Sequence, residues 1–237
     1  MKFTDDGIII SSKKHGENSL IIKILSKNHG ICNIYVKNAI NYRSYAKYHI
    51  GNLVFFDCYA KNDNVLAYAK IENLKSFSAK YILEFNKLQI ITYFSLIISQ
   101  NFMDLDPNQD LFDDFLEFLQ NLDQDNRDIL ANIIKLELKL LEIFGYGLDL
   151  SHCAVTSSDR DLYFISPKSG RAVSKKAAEG YENKLFKFTN FFRNKLILND
   201  EVSKDDLMQS LDISKFFMQK YNLLKSESGK IRMLVVK

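Results

Sequence analysis

Gly7-Ile8-Ile9-Ile10-Ser11, Asn18-Ser19-Leu20-Ile21-Ile22-Lys23-Ile24-Leu25, Ile31-Cys32-Asn33-Ile34-Tyr35-Val36, Asn52-Leu53-Val54-Phe55-Phe56-Asp57-Cys58-Tyr59 and Val65-Leu66-Ala67-Tyr68-Ala69-Lys70-Ile71 decide how this chain begins to fold. Each run is short, rich in β-branched and aromatic residues, and bounded by Gly, Asn, Asp or Lys, the pattern of a strand between turns. Five strands within residues 7–71 leave exposed sheet edges unless the sheet closes on itself. A five-stranded Greek-key barrel, the OB-fold, closes it most economically, with a small SH3-like barrel as the alternative. Residues 61–64 (Lys-Asn-Asp-Asn) have the composition of a hairpin connection.

After Ser78 the apolar period lengthens from two to nearly four. Tyr81, Ile82, Phe85, Leu88, Ile91 and Ile98 predict a buried helix over residues 80–99. Leu111, Phe112, Phe115, Leu116, Leu119 and Leu122 predict a second, and Ile129, Ile133, Leu136, Leu140, Ile143 and Phe144 a third that Gly145 and Gly147 close. Residues 151–175 are irregular, with a short hairpin expected around 162–165 and a turn over 166–170. Helices are expected again over 182–196 and 204–224, and the chain closes on the apolar run 231–236. The expected class is α+β: a barrel over residues 1–78, then a helical domain over 79–237 interrupted by the insertion at 151–175. No low-complexity linker separates them, so direct packing of barrel on helices is expected.

Composition bounds the rest. Of 237 residues, 46% are hydrophobic and 26% charged, which supplies a core and excludes disordered, collagen-like and low-complexity chains. The most apolar stretch, 88–98, is broken by Gln89, Thr92 and Ser95 and falls short of the roughly 20 residues of a membrane span. Asp5 and Asp6 stand where a secretory leader needs apolar residues. Cys32, Cys58 and Cys153 are odd in number and far apart, as free thiols are. A cytoplasmic protein without membrane association is expected. The net charge of +3 conceals an asymmetry: residues 1–78 carry +5, 79–150 carry −8 and 151–237 carry +6. Two basic ends around an acidic middle suggest an anionic partner, nucleic acid first among them.

Motifs for turnover are absent. Gly229-Lys230 lacks the upstream glycine of a phosphate-binding loop, Gly145-Tyr146-Gly147 lacks the third glycine of a dinucleotide turn, and neither a nucleophile elbow nor a His-Glu-x-x-His pair occurs. A protein that is not an enzyme and needs no cofactor is expected. Asp104, Asp106, Asp110, Asp113 and Asp114 lack calcium-loop spacing and read as a helix entrance. His152-Cys153 invites a zinc reading, but no cysteine follows Cys153, so no metal is expected and Cys153 reads as a buried apolar thiol.

Barrels of this kind hold single strands by joining a basic groove to aromatic faces, each stacked base contributing about 1–3 kcal/mol. Lys13, Lys14 and His15 follow the first strand; Lys37 and then Tyr42-Arg43-Ser44-Tyr45-Ala46-Lys47-Tyr48 fill the third connection. The residues expected to contact nucleic acid there are Lys13, Lys14, Lys37, Tyr42, Arg43, Tyr45 and Lys47, the alternative being that the tyrosines prop the barrel against the helices. Lys168, Arg171, Lys175 and Lys176 form a second basic cluster, which either extends the track or decorates an exposed turn. Two other classes fit the same residues, a protein-interaction adaptor and an RNA-directed OB protein.

Specific segments resemble the RecO family of bacterial DNA repair proteins. The barrel segments that do so are residues 7–12 (Gly-Ile-Ile-Ile-Ser-Ser), 16–21 (Gly-Glu-Asn-Ser-Leu-Ile), 25–30 (Leu-Ser-Lys-Asn-His-Gly) and 51–54 (Gly-Asn-Leu-Val). Residues 136–153, ending Gly145-Tyr146-Gly147-Leu148-Asp149-Leu150-Ser151-His152-Cys153, resemble the middle of that family, and 164–174 its alphaproteobacterial branch. The resemblance implies an N-terminal OB-fold, a helical domain and, in many members, a four-cysteine zinc module. It also implies binding of single- and double-stranded DNA, annealing of complementary strands, and cooperation with RecR and single-stranded DNA-binding protein in loading RecA. This chain departs from the zinc pattern: Cys153 is present, but Thr156 and residues 173–176 stand where the other ligands would fall, so packing of Leu162, Phe164 and Ile165 is expected to hold the module instead. By analogy, Lys135, Lys139 and Arg232 are candidates to hold the acidic tail of single-stranded DNA-binding protein.

Overall fold

A computed structural model describes residues 2–40, 45–60 and 66–235, with side chains to Arg232. Tyr42 and Arg43, expected to contact DNA, and the connection 61–64 lie outside the described residues. Strands β1 (Lys2–His15), β2 (Ser19–Ser26), β3 (Gly30–Val36), β4 (Leu53–Tyr59) and β5 (Ala67–Lys75) form a closed barrel in the order β1-β2-β3-β5-β4, with β4 returning to β1. β3 and β5 pair in parallel and every other pair is antiparallel, the OB topology. β1 is longer than the apolar run 7–11 suggests because it pairs twice, through residues 2–8 with β4 and 7–15 with β2, and a bulge between Ile9 and Ser11 bends it. Gly7 sits where the two pairings overlap; a Cβ there would stand 2.2 Å from Ile24 Cγ2.

Alternation sorts the strands into two faces. Ile9, Leu20, Ile22, Ile24, Cys32, Ile34, Val36, Val54, Phe56, Cys58 and Ile71 fill the interior. Burial raises the thiol pKa of Cys32 to about 12 and raises that of Cys58, which keeps both protonated. The β2–β3 turn is pinned by Asp5. Its carboxylate accepts hydrogen bonds from Ser26 Oγ, from Asn28 N and Nδ2 at 2.8 Å each, and lies 3.0 Å from His29 Nδ1. Burial opposes the charge, but these donors outweigh it and hold the carboxyl below its ordinary range.

The chain divides into two compact units: residues 1–122 with 224–237, and residues 123–223. The division differs from one at residue 78, because helices after the barrel pack back onto it. In the first unit, α1 (Phe77–Lys80) is short and the expected helix over 80–99 begins later, as α2 (Phe85–Asn101), which packs on β1. The segment before α3 (Gln109–Gln120) lies on the barrel: Leu105 N donates to Ile31 O at 3.0 Å, and Asp104 accepts from Asn33 Nδ2 at 2.6 Å and pairs with Lys23 at 3.6 Å. Asp104 is therefore a barrel anchor rather than part of a helix entrance. Gly30, at φ 71°, permits this approach, since a Cβ would meet the Asp106 backbone at 2.5 Å.

The second unit is built on α4 (Asn126–Ile143), whose N-cap Asp125 accepts from Arg127 N at 2.8 Å and Asp128 N at 2.9 Å. A small sheet follows, of β6 (Leu162–Ile165), β7 (Ala172–Ser174) and β8 (Phe186–Lys187) in the order β7-β6-β8. The expected helix over 182–196 does not form. Phe186 pairs with Ile165, Thr189 caps the four-residue α5 (Asn190–Arg193), and Lys195 and Leu196 turn the chain at positive φ. Four phenylalanines at 186, 188, 191 and 192 imitate a helical stripe but serve a strand and a single turn. α6 (Lys204–Lys220) opens on a Ser203–Asp206 capping box and packs on α4, where Ser214 Oγ donates to the buried Glu137 carboxylate. The run 231–236 contributes to α7 (Ser226–Val235), which packs on α2 in the first unit; Lys225 Nζ caps α2 through Gln100 O at 2.6 Å.

Candidate nucleic-acid interface

The outward positions of the barrel carry a feature that no single strand reveals. Register places Lys13 opposite Ile21, Ile21 opposite Tyr35, Tyr35 opposite Tyr68, Tyr68 opposite Tyr59, and Tyr59 opposite Lys2. Three tyrosines thus stand side by side on β3, β5 and β4, with a lysine beyond them at each end of the row. At about 4.8 Å per strand, the rings span roughly 10 Å. Tyr68 is 56% and Tyr59 51% exposed, and Tyr35 is half-buried, its hydroxyl donating to Ser19 Oγ at 2.9 Å. Tyr35 and Tyr68 meet edge to face at 5.6 Å, and His15 continues the array at 5.9 Å from Tyr35. An open groove of about 700 Å³ runs along this face, bordered by Lys2, Lys37, Lys47 and Lys70 with Asp57 as its acid. The arrangement offers ring faces to bases and ammonium groups to phosphates.

Of the residues expected to contact DNA, Lys37 and Lys47 line this groove, and Lys13 and Lys14 are exposed at the end of β1 beside His15. Lys47 lies in the 3-10 turn Tyr45–Tyr48, its Nζ 3.5 Å from Ile71 O and 4.8 Å from the Tyr48 ring. Tyr45 is exposed and edges His49 at 5.2 Å, whereas Tyr48 is buried in the barrel's own core. Lys2, Tyr35, Tyr59, Tyr68 and Lys70 escaped the sequence reading. Their signal was phase: each is a large or charged residue at the outward beat of a strand whose inward beat is apolar.

The second cluster belongs to the other unit. Arg171 is held by Asp149 at 3.1 Å, whose carboxyl Ser151 and Arg171 keep below the ordinary range against the cost of burial. Lys168 and Lys176 are exposed, and Lys175 Nζ lies over the Tyr163 ring at 5.6 Å. On α4, Lys135 is exposed and Lys139 pairs with Glu142 at 3.7 Å. Arg232, on α7 of the first unit, is only 4% exposed, which does not suit a cation at a pocket rim.

The zinc ion that the resemblance implies does not fit these residues. Among the described residues no group of three or more His, Cys, Asp and Glu could hold a metal. Cys153 is buried but not an apolar thiol: its sulfur accepts hydrogen bonds from Ser174 N at 3.3 Å and Thr156 N at 3.5 Å. Burial opposes ionisation, yet the bonds from Ser174 and Thr156 outweigh it and draw the pKa down to about 6.

Fold and groove together define the class, an OB-barrel protein with an appended helical unit and a basic, ring-lined barrel face. Comparison narrows it. Residues 1–77 match the family model for the recombination protein O N terminal, and residues 83–226 that for its C terminal. The DNA repair protein RecO of Wolbachia sp. subsp. Drosophila simulans (strain wRi) is 34% identical over 229 residues, covering 95% of this chain and 94% of its own length. That of Rickettsia canadensis (strain McKiel) is 32% identical over 221 residues (93% and 89%), and that of Orientia tsutsugamushi (strain Ikeda) 31% over 241 residues (100% and 97%). The chain belongs to the RecO family of DNA repair proteins.

Proposed function

We propose that this protein is a non-enzymatic recombination mediator that binds single- and double-stranded DNA, anneals complementary strands and, with RecR, helps load RecA onto DNA coated by single-stranded DNA-binding protein. The observation that carries this reading is the tyrosine row between lysines. It suits a strand laid across β3, β5 and β4, with bases on Tyr35, Tyr68 and Tyr59 and phosphates toward Lys2, Lys37, Lys47 and Lys70. Two complementary strands repel through their phosphates, and a surface that neutralises both lowers that barrier while base pairing supplies the specificity. Such annealing consumes no nucleotide. Lys135 and Lys139 on α4 remain the proposed contacts for the acidic tail of single-stranded DNA-binding protein; Arg232, being buried, is not carried forward.

Annealing of complementary oligomers, bare and coated with single-stranded DNA-binding protein, in the absence of ATP and added metal tests the reading. Faster annealing than in buffer supports it. No acceleration, together with no mobility shift of a single strand at low salt, would overturn it in favour of a protein-interaction adaptor, and preference for a matched RNA oligomer would replace DNA with RNA as the ligand.

A further inference from the structure

The disagreement over zinc has a particular geometry. A ribbon-type zinc site joins two half-sites of Cys-x-x-Cys spacing, so that four side chains close a tetrahedron. In this chain two turns of that spacing face each other. In the first, residues 153–156, Thr156 N donates back to Cys153 Sγ at 3.5 Å. In the second, residues 174–177, Ala177 N donates back to Ser174 Oγ at 3.4 Å, the same bond from the same position. The turns are joined where their first residues meet: Cys153 Sγ and Ser174 Oγ share a hydrogen bond of 3.4 Å, and Ser174 N donates to the sulfur at 3.3 Å. A backbone bond clamps the pair from outside, Ala154 N donating to Ala172 O at 2.8 Å, and Cys153 N closes the first turn on Ser158 O at 2.7 Å.

We infer that residues 149–188 form a metal-free counterpart of a two-turn zinc module, in which the Cys153–Ser174 contact occupies the place of the ion. The four positions of the two turns are 153, 156, 174 and 177, and they supply one thiol, two hydroxyls and a methyl, a set that cannot bind zinc. Two thiolates on a tetrahedral ion, each about 2.3 Å from the metal, would stand roughly 3.8 Å apart. Here the facing sulfur and oxygen have closed to hydrogen-bond distance, Cys153 is fully buried and Ser174 is 6% exposed. Hydrogen bonding thus does what metal ligation does elsewhere: it satisfies the polar atoms at the centre and ties the 153–156 turn to β7. This adds to the packing of Leu162 and Ile165, which are buried on the same small sheet. The inference concerns the second unit alone and stands whether or not the barrel face binds DNA.

Two experiments test it. Elemental analysis of the purified full-length protein, grown with zinc in the medium, is expected to find far less than one zinc per chain, and EDTA to leave the thermal midpoint unshifted. Stoichiometric zinc in the wild-type protein would overturn the inference outright. The triple substitution T156C/S174C/A177C is expected to bind one Co²⁺ per chain with the absorption of a tetrahedral thiolate site, and to acquire a midpoint that EDTA lowers. A triple variant with wild-type circular dichroism but no cobalt uptake would show that the turns do not face each other as a ligand set. Should that variant not fold, Cys153→Ala and Cys153→Ser decide the remaining claim: alanine, which cannot accept the bonds of Thr156 and Ser174, is expected to lower the midpoint by several degrees more than serine, and equal midpoints would refute the bonded centre.

Discussion

The outer face of the barrel and the module of residues 149–188 both combine cations with tyrosine, and arrange them to different ends. On the barrel, strand register stands Tyr35, Tyr68 and Tyr59 in one outward row, and lysines border it. In and around the module, three cations are engaged by the fold itself, although Lys168 and Lys176 stay exposed. Arg171 holds Asp149, Lys220 Nζ donates to Pro167 O at 2.8 Å and Lys168 O at 2.6 Å, and Arg193 lies over the rings of Tyr163 at 4.8 Å and Phe188 at 5.1 Å. One set faces a groove and the other ties a fold. Composition alone does not separate an interface from a clamp; the direction set by register and by neighbouring acceptors does.

The contrast can be broken most sharply at the rings. The double substitution Tyr59→Ala/Tyr68→Ala is expected to lower single-strand affinity about a hundredfold or more, from roughly 1–3 kcal/mol of stacking at each ring, while leaving the circular dichroism unchanged. Equal affinity in a fluorescence anisotropy titration would remove the row from the interface. The barrel beneath the row depends on Asp5, and Asp5→Ala is expected to cost about 3 kcal/mol in denaturant unfolding of the first unit, because Ser26, Asn28 and His29 lose a buried acceptor. Since the folded pKa of Asp5 is depressed, its contribution is complete above the unfolded carboxyl value of about 3.9 and is lost as pH falls through the lower folded value. The alanine variant should therefore show a shallower acid-side decline, seen by fluorescence unfolding between neutral and strongly acidic pH. The smallest effect compares the cations of the two regions. Replacing Lys37 and Lys70 by alanine is expected to flatten the slope of log affinity against log salt by about 0.7 for each lysine, whereas Arg171→Ala, which breaks an exposed pair with Asp149, should leave that slope unchanged. Equal slopes from both variants would show that the two regions share the work of binding.

The barrel was legible because its signal is local: alternation of Ile, Val, Phe and Cys with polar residues marks each strand without knowledge of its partners. Lys37 and Lys47, which line the groove, were legible as well, since the connection between strands advertises its charge. The tyrosine row was not, because Tyr35, Tyr59 and Tyr68 lie on three strands and become neighbours only through pairing, including the parallel pair of β3 with β5. Read singly, each ring passes for core. The helix expected over 182–196 failed for the complementary reason, as apolar spacing cannot tell a helical face from a strand followed by a capped turn. Residues 173–176 were legible only as the place of absent ligands; that Ser174 among them bonds to Cys153, 21 positions earlier, is set by the fold.

The placement of α7 bears on how the molecule is made. This last helix packs on α2, within the same unit as a barrel that begins at Lys2. Chains emerge from the ribosome in order, and early domains ordinarily fold while later ones are still being synthesised. The barrel unit here cannot be finished that way: its closing helix arrives only after the entire second unit has been translated, so the unit begun before the second is completed after it.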